Sequence, residues 1–116
     1  MECKIKNDIG TIYITEEVML KVVGYAAIGC YGIVAMSSKR AKDGLVEWLG
    51  RESLSKGVQL RMVDDMIDVD LFIIVEYGIS VAEVCKAIVQ TVKYMLESMT
   101  GVKVRRVNIS VEGIRV

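Results

Sequence analysis

An alternating pattern over residues 58–75 constrains the fold more than any other feature of this 116-residue chain. Apolar and polar side chains alternate on both sides of Asp64-Asp65, which is the period of a β-strand with one buried face. A two-residue turn at Asp64-Asp65 sets apolar residues opposite one another and Arg61 opposite Asp68. The pattern therefore predicts a β-hairpin with one buried face and one polar face. The expected pairs are Met62 with Ile67, Leu60 with Val69, Val58 with Leu71, Arg61 with Asp68, and Gln59 with Asp70.

Two other segments carry the apolar period of a long helix. The first begins after Thr15, a residue type that caps helix N-termini, and ends at Gly29. The second follows the sequence Ser80-Val81-Ala82-Glu83, which is typical of a capping box, and ends at Gly101. Each segment has one apolar stripe, so both helices are expected to pack against a sheet.

Further strands are predicted at residues 9–14, 33–36 and 104–111. The order along the chain is then strand, helix, strand, charged insert with a short helix, strand, strand, helix, strand. This order predicts an α+β fold of two layers, in which the two long helices pack on one face of a mixed sheet. The chain, residues 1–116, is expected to form a single domain.

The insert at about residues 37–57 is the most charged part of the chain. Asp43 is suited to cap a short surface helix over residues 45–49, and a mobile flap is the alternative. Trp48, the only tryptophan, lies in this insert beside basic residues, and tryptophans often anchor interfaces. A small satellite of the core is the alternative site for its ring. The predicted partner surface consists of Trp48, Lys39, Arg40 and Lys42.

The composition excludes several classes of function. The chain has no histidine, so the commonest general base and the commonest zinc ligand are both absent. The 15 basic and 15 acidic side chains give a formal charge of zero, which provides no net field to attract a polyanion. Its three cysteines are far apart and have no histidine partners, which indicates neither a disulfide framework nor a zinc site. We therefore predict a protein that is not an enzyme, with no catalytic residues, cofactor or metal.

Asp68 and Asp70 are the strongest candidates for chemistry, because they fall on the same face of one strand. A metal or acid–base site is one interpretation. Arg61 and Arg106 offer positive partners to the same carboxylates, which favours a solvated ladder of charges on the outer face of the sheet.

The sequence Gly29-Cys30-Tyr31-Gly32 has the GXXG pattern of the KH RNA-binding module, whose loop clamps the nucleic-acid backbone. In KH domains this loop joins two helices, whereas here it precedes an apolar strand and has no basic excess around it. Helix capping and close packing are therefore favoured. An RNA-binding loop at Gly29 and Gly32 is the alternative function.

Residues 22–38 contain no charged side chain, but the run is shorter than the roughly 20 apolar residues of a membrane span and is interrupted by glycines. We expect a buried helix followed by a buried strand, and no transmembrane segment. The first eight residues are charged and mixed rather than basic and then apolar, so no signal peptide is expected. These features predict a cytoplasmic protein.

Several short segments, taken in order along the chain, carry a family resemblance. They begin with the strand, cap and helix start at 10–18 and close with Val107-Asn108-Ile109. The full set is 10–18, 31–36, 42–45, 68–71, 75–78, 99–102 and 107–109. Together they resemble the alkaline-shock, or YloU-like, envelope stress response family from residue 9 to residue 116. Trp48 departs from the pattern, since an aliphatic residue is more usual there.

The resemblance implies a cytoplasmic, often membrane-proximal protein of Gram-positive bacteria that supports cell envelope homeostasis and has no accepted catalytic activity. Membrane location would depend on a separate membrane-anchored protein partner. A dihydroxyacetone-kinase-like protein is a second expected partner. We therefore predict an interaction or scaffold protein that forms a homo-oligomer.

Overall fold

The computed structural model describes residues 1–37 and 57–116, together with the backbone of a short strand at 48–49. Seven strands and two helices occupy these residues. They are β1 (Glu2–Asn7), β2 (Gly10–Thr15), α1 (Glu16–Ile28), β3 (Ile33–Ser37), β4 (Trp48–Leu49), β5 (Val58–Val63), β6 (Met66–Glu76), α2 (Val81–Thr100) and β7 (Val104–Arg115).

The main sheet is built around β6. On one side, β5 pairs antiparallel with its first half and β3 with its second half, and β4 continues the sheet beyond β3. On the other side, β7 pairs with β6 in parallel along almost its whole length. The sheet is therefore mixed, as the order of elements predicted.

The predicted register of the β5–β6 hairpin is confirmed for all five residue pairs. The turn residues Asp64 and Asp65 have φ angles of 50° and 63°. A turn with two positive φ angles has the twist that matches antiparallel strands, so the turn and the apolar alternation select the same register.

Both helices pack on one face of the main sheet. The odd-numbered residues of β6 from Ile67 to Val75 face them, and all five are fully buried. Helix α1 contributes Met19, Val23 and Ala27 to this core, and α2 contributes an i, i+4 row of residues. That row is Val84, Ile88, Val92 and Leu96. The predicted α+β arrangement of two layers is confirmed.

The opposite face of the main sheet differs from the expectation of a solvated surface. Asp68 and Asp70 lie at one end of it, but Phe72 and Ile74 follow on the same face and are buried. Ala35, the neighbour of Ile74 on β3, is also buried. The second half of β6 is therefore covered on both sides, which explains its continuous apolar sequence.

The helix boundaries agree with the sequence, but one predicted cap does not form. The Oγ1 atom of Thr15 accepts a hydrogen bond from the N–H of Val18 at 3.4 Å, and Gly101 ends α2 with a φ of 75°. Ser80 makes no side-chain hydrogen bond to the helix backbone, and Glu83 forms an ion pair with Lys86 at 3.7 Å. The capping-box prediction is therefore wrong, although α2 begins at the predicted residue.

The short helix predicted at 45–49 is wrong at its C-terminal end. Trp48 and Leu49 form β4, whose backbone pairs with Ser37 and Met36 of β3. Pairing with a strand edge satisfies backbone groups that a short surface helix leaves to solvent. The rest of the predicted helix and the other insert residues, 38–47 and 50–56, lie outside the described residues.

A second sheet, which the sequence analysis missed in part, is formed by β1 and β2. These strands pair antiparallel, from Glu2 opposite Thr15 to Asn7 opposite Gly10. We call this hairpin, residues 2–15, the arm. Cys3 at its base is buried in the core, whereas Ile12 near its tip is 53% exposed. Only the base of the arm is covered by the rest of the molecule.

Candidate interaction surfaces

The predicted partner surface is placed only in part. Lys39, Arg40 and Lys42 lie outside the described residues. The backbone of Trp48 pairs with Ser37 in β4, which places this tryptophan on the strand beyond β3. The role of this surface stays a prediction.

The GXXG sequence forms the connection between α1 and β3. Gly29 is the C-cap of α1, and its N–H donates to the carbonyl of Tyr25 at 3.2 Å. Gly32 has a φ of 91°, and a Cβ atom there would lie 2.9 Å from Ile79 and 3.0 Å from Val84. Both glycines therefore have the structural roles that the sequence favoured. RNA binding by this loop stays a prediction.

Asp68 is a buried carboxylate that is held by arginine side chains. Its side chain is 2% exposed, and both of its oxygens accept hydrogen bonds from Arg105, at 2.9 Å from Nε and 2.6 Å from Nη2. Arg61 adds a longer contact of 3.9 Å. The hydrogen bond from Arg105, reinforced by its charge, holds the pKa of Asp68 below its ordinary value. The carboxylate is therefore kept ionised, which suits a structural ion pair rather than proton transfer.

The second arginine that binds Asp68 is not Arg106, which the sequence analysis named together with Arg61. Arg106 is the residue of β7 that lies beside Asp68, but an irregularity in the pairing between β6 and β7 inserts Arg105 as an extra residue. A β-bulge turns the extra residue away from regular alternation, which allows Arg105 to reach the outer face as well. The adjacent arginines of Val104-Arg105-Arg106-Val107, which break the alternation of β7, are the sequence signal for this bulge.

Asp70 completes this polar cluster. Its carboxylate accepts hydrogen bonds from Nε of Arg61 at 3.2 Å and from Nδ2 of Asn108 at 3.0 Å. The cluster therefore links β5, β6 and β7 across the outer face of the sheet. Over residues 1–37 and 57–116, no group of three or more acidic or cysteine side chains is arranged to hold a metal ion.

The three cysteines are free thiols. Burial raises the pKa of Cys3 and of Cys85, which keeps both thiols neutral. Cys30 donates from its sulfur to the carbonyl of Ala26 at 3.5 Å. These environments are those of packed cysteines and not of activated nucleophiles.

Exposed apolar groups and strand edges are more prominent than any reactive cluster. A groove of about 290 Å³ separates α1 from α2 on their solvent side and is lined by Tyr25, Met95 and Met99. The arm exposes Ile9, Ile12 and Tyr13. Within the described chain, β2 pairs only with β1, and β7 pairs only with β6, so each strand has an edge without a neighbouring strand. In the same part of the chain, neither helix combines the length and the apolar content that a membrane crossing requires.

The amino-acid sequence matches a known family of proteins. Residues 4–116 match the model of the alkaline shock protein 23 family, which is described as having a cell envelope-related function. The chain belongs to this family. The resemblance seen in the sequence motifs is therefore confirmed, and so is the connection to the cell envelope at that level of description.

Two relatives span almost the same length as this chain. The uncharacterized protein YloU of Bacillus subtilis (strain 168) is 44% identical over 117 residues, which cover 100% of this chain and 98% of the relative. The uncharacterized protein Spy1614 of Streptococcus pyogenes serotype M6 is 38% identical, with 100% and 97% covered.

A third relative, the uncharacterized protein YqhY of Bacillus subtilis (strain 168), is 30% identical and covers 92% of this chain. No solved structure matches the chain.

Proposed function

We propose that this protein is a non-enzymatic, cytoplasmic scaffold of the envelope stress response that associates with itself and with partner proteins. One observation carries the proposal: the described surface provides open strand edges at β2 and β7. Backbone N–H and C=O groups along such edges readily accept another strand. The acidic side chains that were candidates for chemistry are instead bound by Arg61 and Arg105.

The chain has no histidine, and the strongest carboxylate cluster is an ion-pair network rather than an acid–base pair. These features support an interaction role over a catalytic one. The family description adds a relation to the cell envelope. Proximity to the membrane would come from a membrane-anchored protein, and a dihydroxyacetone-kinase-like protein is the second proposed partner.

The proposed partners are tested by crosslinking and pull-down from native cells. Wild type is compared with Trp48→Ala and with Tyr94→Ala, which removes an exposed aromatic ring from α2. We expect wild type and Tyr94→Ala to recover a membrane-anchored protein or the kinase-like protein, and Trp48→Ala to lose it. Equal recovery by all three proteins would contradict a role for Trp48.

Self-association is tested separately by sedimentation velocity over a wide range of protein concentrations. We expect the average mass of the wild-type protein to rise with concentration. A strict monomer, together with pull-downs that Trp48→Ala leaves unchanged, would overturn the scaffold proposal.

A further inference from the structure

Strand β7 forms the longest open edge in the described structure. It contains 12 residues, and among the described strands only β6 pairs with it. Because successive strand residues direct their backbone groups to opposite sides, about half of its N–H and C=O groups point away from β6. The strand therefore offers a long row of backbone donors and acceptors to a neighbouring chain.

The pairing of β7 with β6 is irregular at two places, at Arg105 and at Glu112. Between them, β7 alternates regularly from Arg106 to Val111. Val107, Ile109 and Val111 continue the apolar inner face and are only partly buried. Their neighbours on β6 are Val69, Leu71 and Ile73, which are all fully buried. The core thus ends at β7 with an apolar stripe that is incompletely covered.

The side chains of the outer face have a different character. Arg106, Asn108 and Ser110 are exposed, and Glu112 follows them at the second irregularity. Along the strand, a positive charge therefore stands at the start of the regular stretch and a negative charge directly after its end. A strand with this pattern is complementary to a reversed copy of itself.

Resting on the self-association proposed above, we propose that β7 pairs antiparallel with β7 of a second copy, centred on Ile109. Side chains directly opposite one another in an antiparallel pair lie on the same face of the sheet. In this register Val107 lies opposite Val111, Asn108 lies opposite Ser110, and Ile109 lies opposite its own counterpart. Arg106 of each copy then lies opposite Glu112 of the other.

Other registers are less complementary. A shift by one residue places apolar side chains opposite polar ones, which pairs the wrong faces. A shift by two residues in one direction sets Arg105 opposite Arg115, and a shift in the other direction sets Arg106 opposite Ser110. Only the register centred on Ile109 joins the two apolar stripes and produces two symmetric pairs of opposite charge.

The two edges of the arm fit a second copy less well. The edge of β1 carries Lys4 and Lys6, a common device against strand pairing. The edge of β2 is uncharged, but its six residues include exposed Ile12 and Tyr13 on opposite faces, with no charge pair to fix a register. Length, apolar continuity and charge complementarity therefore all favour β7 over the arm.

The test is a charge-swap experiment on two single variants, Arg106→Glu and Glu112→Arg. Each variant on its own places like charges opposite one another at both symmetric positions, so we expect self-association to weaken roughly tenfold. When the two variants are mixed, every copy finds an oppositely charged strand. We therefore expect the mixture to form a heterodimer at least as readily as wild type forms a homodimer.

Sedimentation velocity with one fluorescently labelled variant measures this recovery, and circular dichroism melts check that each variant is folded. Lys86→Glu makes the same change of charge as Arg106→Glu on an exposed part of α2 and should leave association unchanged. Association that is regained in the mixture cannot be explained by misfolding of the single variants, because mixing two misfolded proteins would not restore their association.

The outcomes separate this inference from the proposed function. If wild type associates and the single variants associate equally well, or if the mixture shows no recovery, pairing through β7 is overturned while the scaffold proposal stands. If wild type stays monomeric at all concentrations, self-association itself is overturned.

Discussion

The arm and the β5–β6 hairpin are built by the same local rules but have different environments. Each joins two strands through a two-residue turn and contains six residue pairs. In β5–β6, two of the three apolar pairs are buried under the helices, namely Val58 opposite Leu71 and Leu60 opposite Val69. In the arm, Cys3 is the only buried residue, and the strand residues nearer the tip face solvent.

This difference shows that alternation and a tight turn define a hairpin, whereas a second layer makes it part of the core. An isolated two-stranded hairpin is marginally stable in water. The β5–β6 hairpin has β7 beside it and α1 above it. The arm depends on its base, where Cys3 and Ile14 join the core. We therefore expect the two hairpins to contribute differently to the free energy of unfolding.

The largest difference is expected between two apolar truncations. Leu71→Ala removes a fully buried side chain from β6 and should lower the free energy of unfolding by about 2–5 kcal/mol. Ile12→Ala removes a half-exposed side chain from the arm and should change it by less than about 0.5 kcal/mol. Urea denaturation measures both changes. A similar cost for the two variants would mean that the arm is covered in solution.

The next prediction concerns the polar face of β6. At neutral pH, Asp68→Asn should lower the Tm clearly, because it leaves the guanidinium of Arg105 without its ionised partner. Asp70→Asn is the matched control and should have a smaller effect, since Asp70 is more exposed.

The effect of Asp68→Asn should depend on pH. The pKa of Asp68 is lowered from 3.8 in the folded protein, so its stabilising contribution is present above that pH and is lost as the pH falls through the folded-state pKa. The difference in Tm between wild type and Asp68→Asn should therefore shrink in acid. A difference that stays constant down to the lowest pH at which the protein folds would contradict this assignment.

The two turns should respond in opposite directions to glycine. Asp65 has a φ of 63°, which glycine adopts without strain, so Asp65→Gly should stabilise the protein by about 0.5–1 kcal/mol. In the described chain the only non-glycine residues with positive φ are Asp64 and Asp65. Ile9→Gly in the turn of the arm should therefore be neutral or slightly destabilising. Thermal denaturation compares the two variants. A higher Tm for Ile9→Gly would contradict the expected difference between the turns.

The smallest effect is expected at the base of the arm in alkaline solution. Burial raises the pKa of Cys3 from 9.0, so the unfolded chain ionises first and stability falls as the pH rises above that value. Cys3→Ala should lose less stability than wild type between neutral pH and strongly alkaline pH. Cys85→Ala is the comparison outside the arm, because the pKa of Cys85 is also raised by burial. Parallel stability curves for wild type and Cys3→Ala would contradict the prediction.

The same contrast explains what the sequence could predict. The register of β5–β6 followed from residues close in the chain, because alternation and turn agreed. Strand β1 was missed although Cys3 and Ile5 alternate with charged residues, since a mostly exposed strand lacks an apolar run. The helix end at Trp48 was wrong because pairing with a distant strand outweighed local propensity.

The site residues show this limit more sharply. Asp68 and its partner Arg61 were predicted, but the second arginine was taken to be Arg106 instead of Arg105, because a bulge depends on how two strands meet rather than on either strand alone. The open edge of β7 could not be predicted either, because local sequence patterns do not determine the order of strands in the sheet. Local patterns thus predicted the elements, and tertiary pairing decided which of them became surfaces.

The parallel pairing of β6 and β7 also sets an order of events during folding. The β5–β6 hairpin closes over neighbouring residues, whereas Asp68 and Arg105 are 37 positions apart and are joined only after α2 has crossed over the sheet. Contacts of long sequence separation form late, because the intervening chain must first lose its conformational freedom. An edge strand that docks last is available to another molecule only once the rest of the sheet exists, so nascent chains would be protected from premature association.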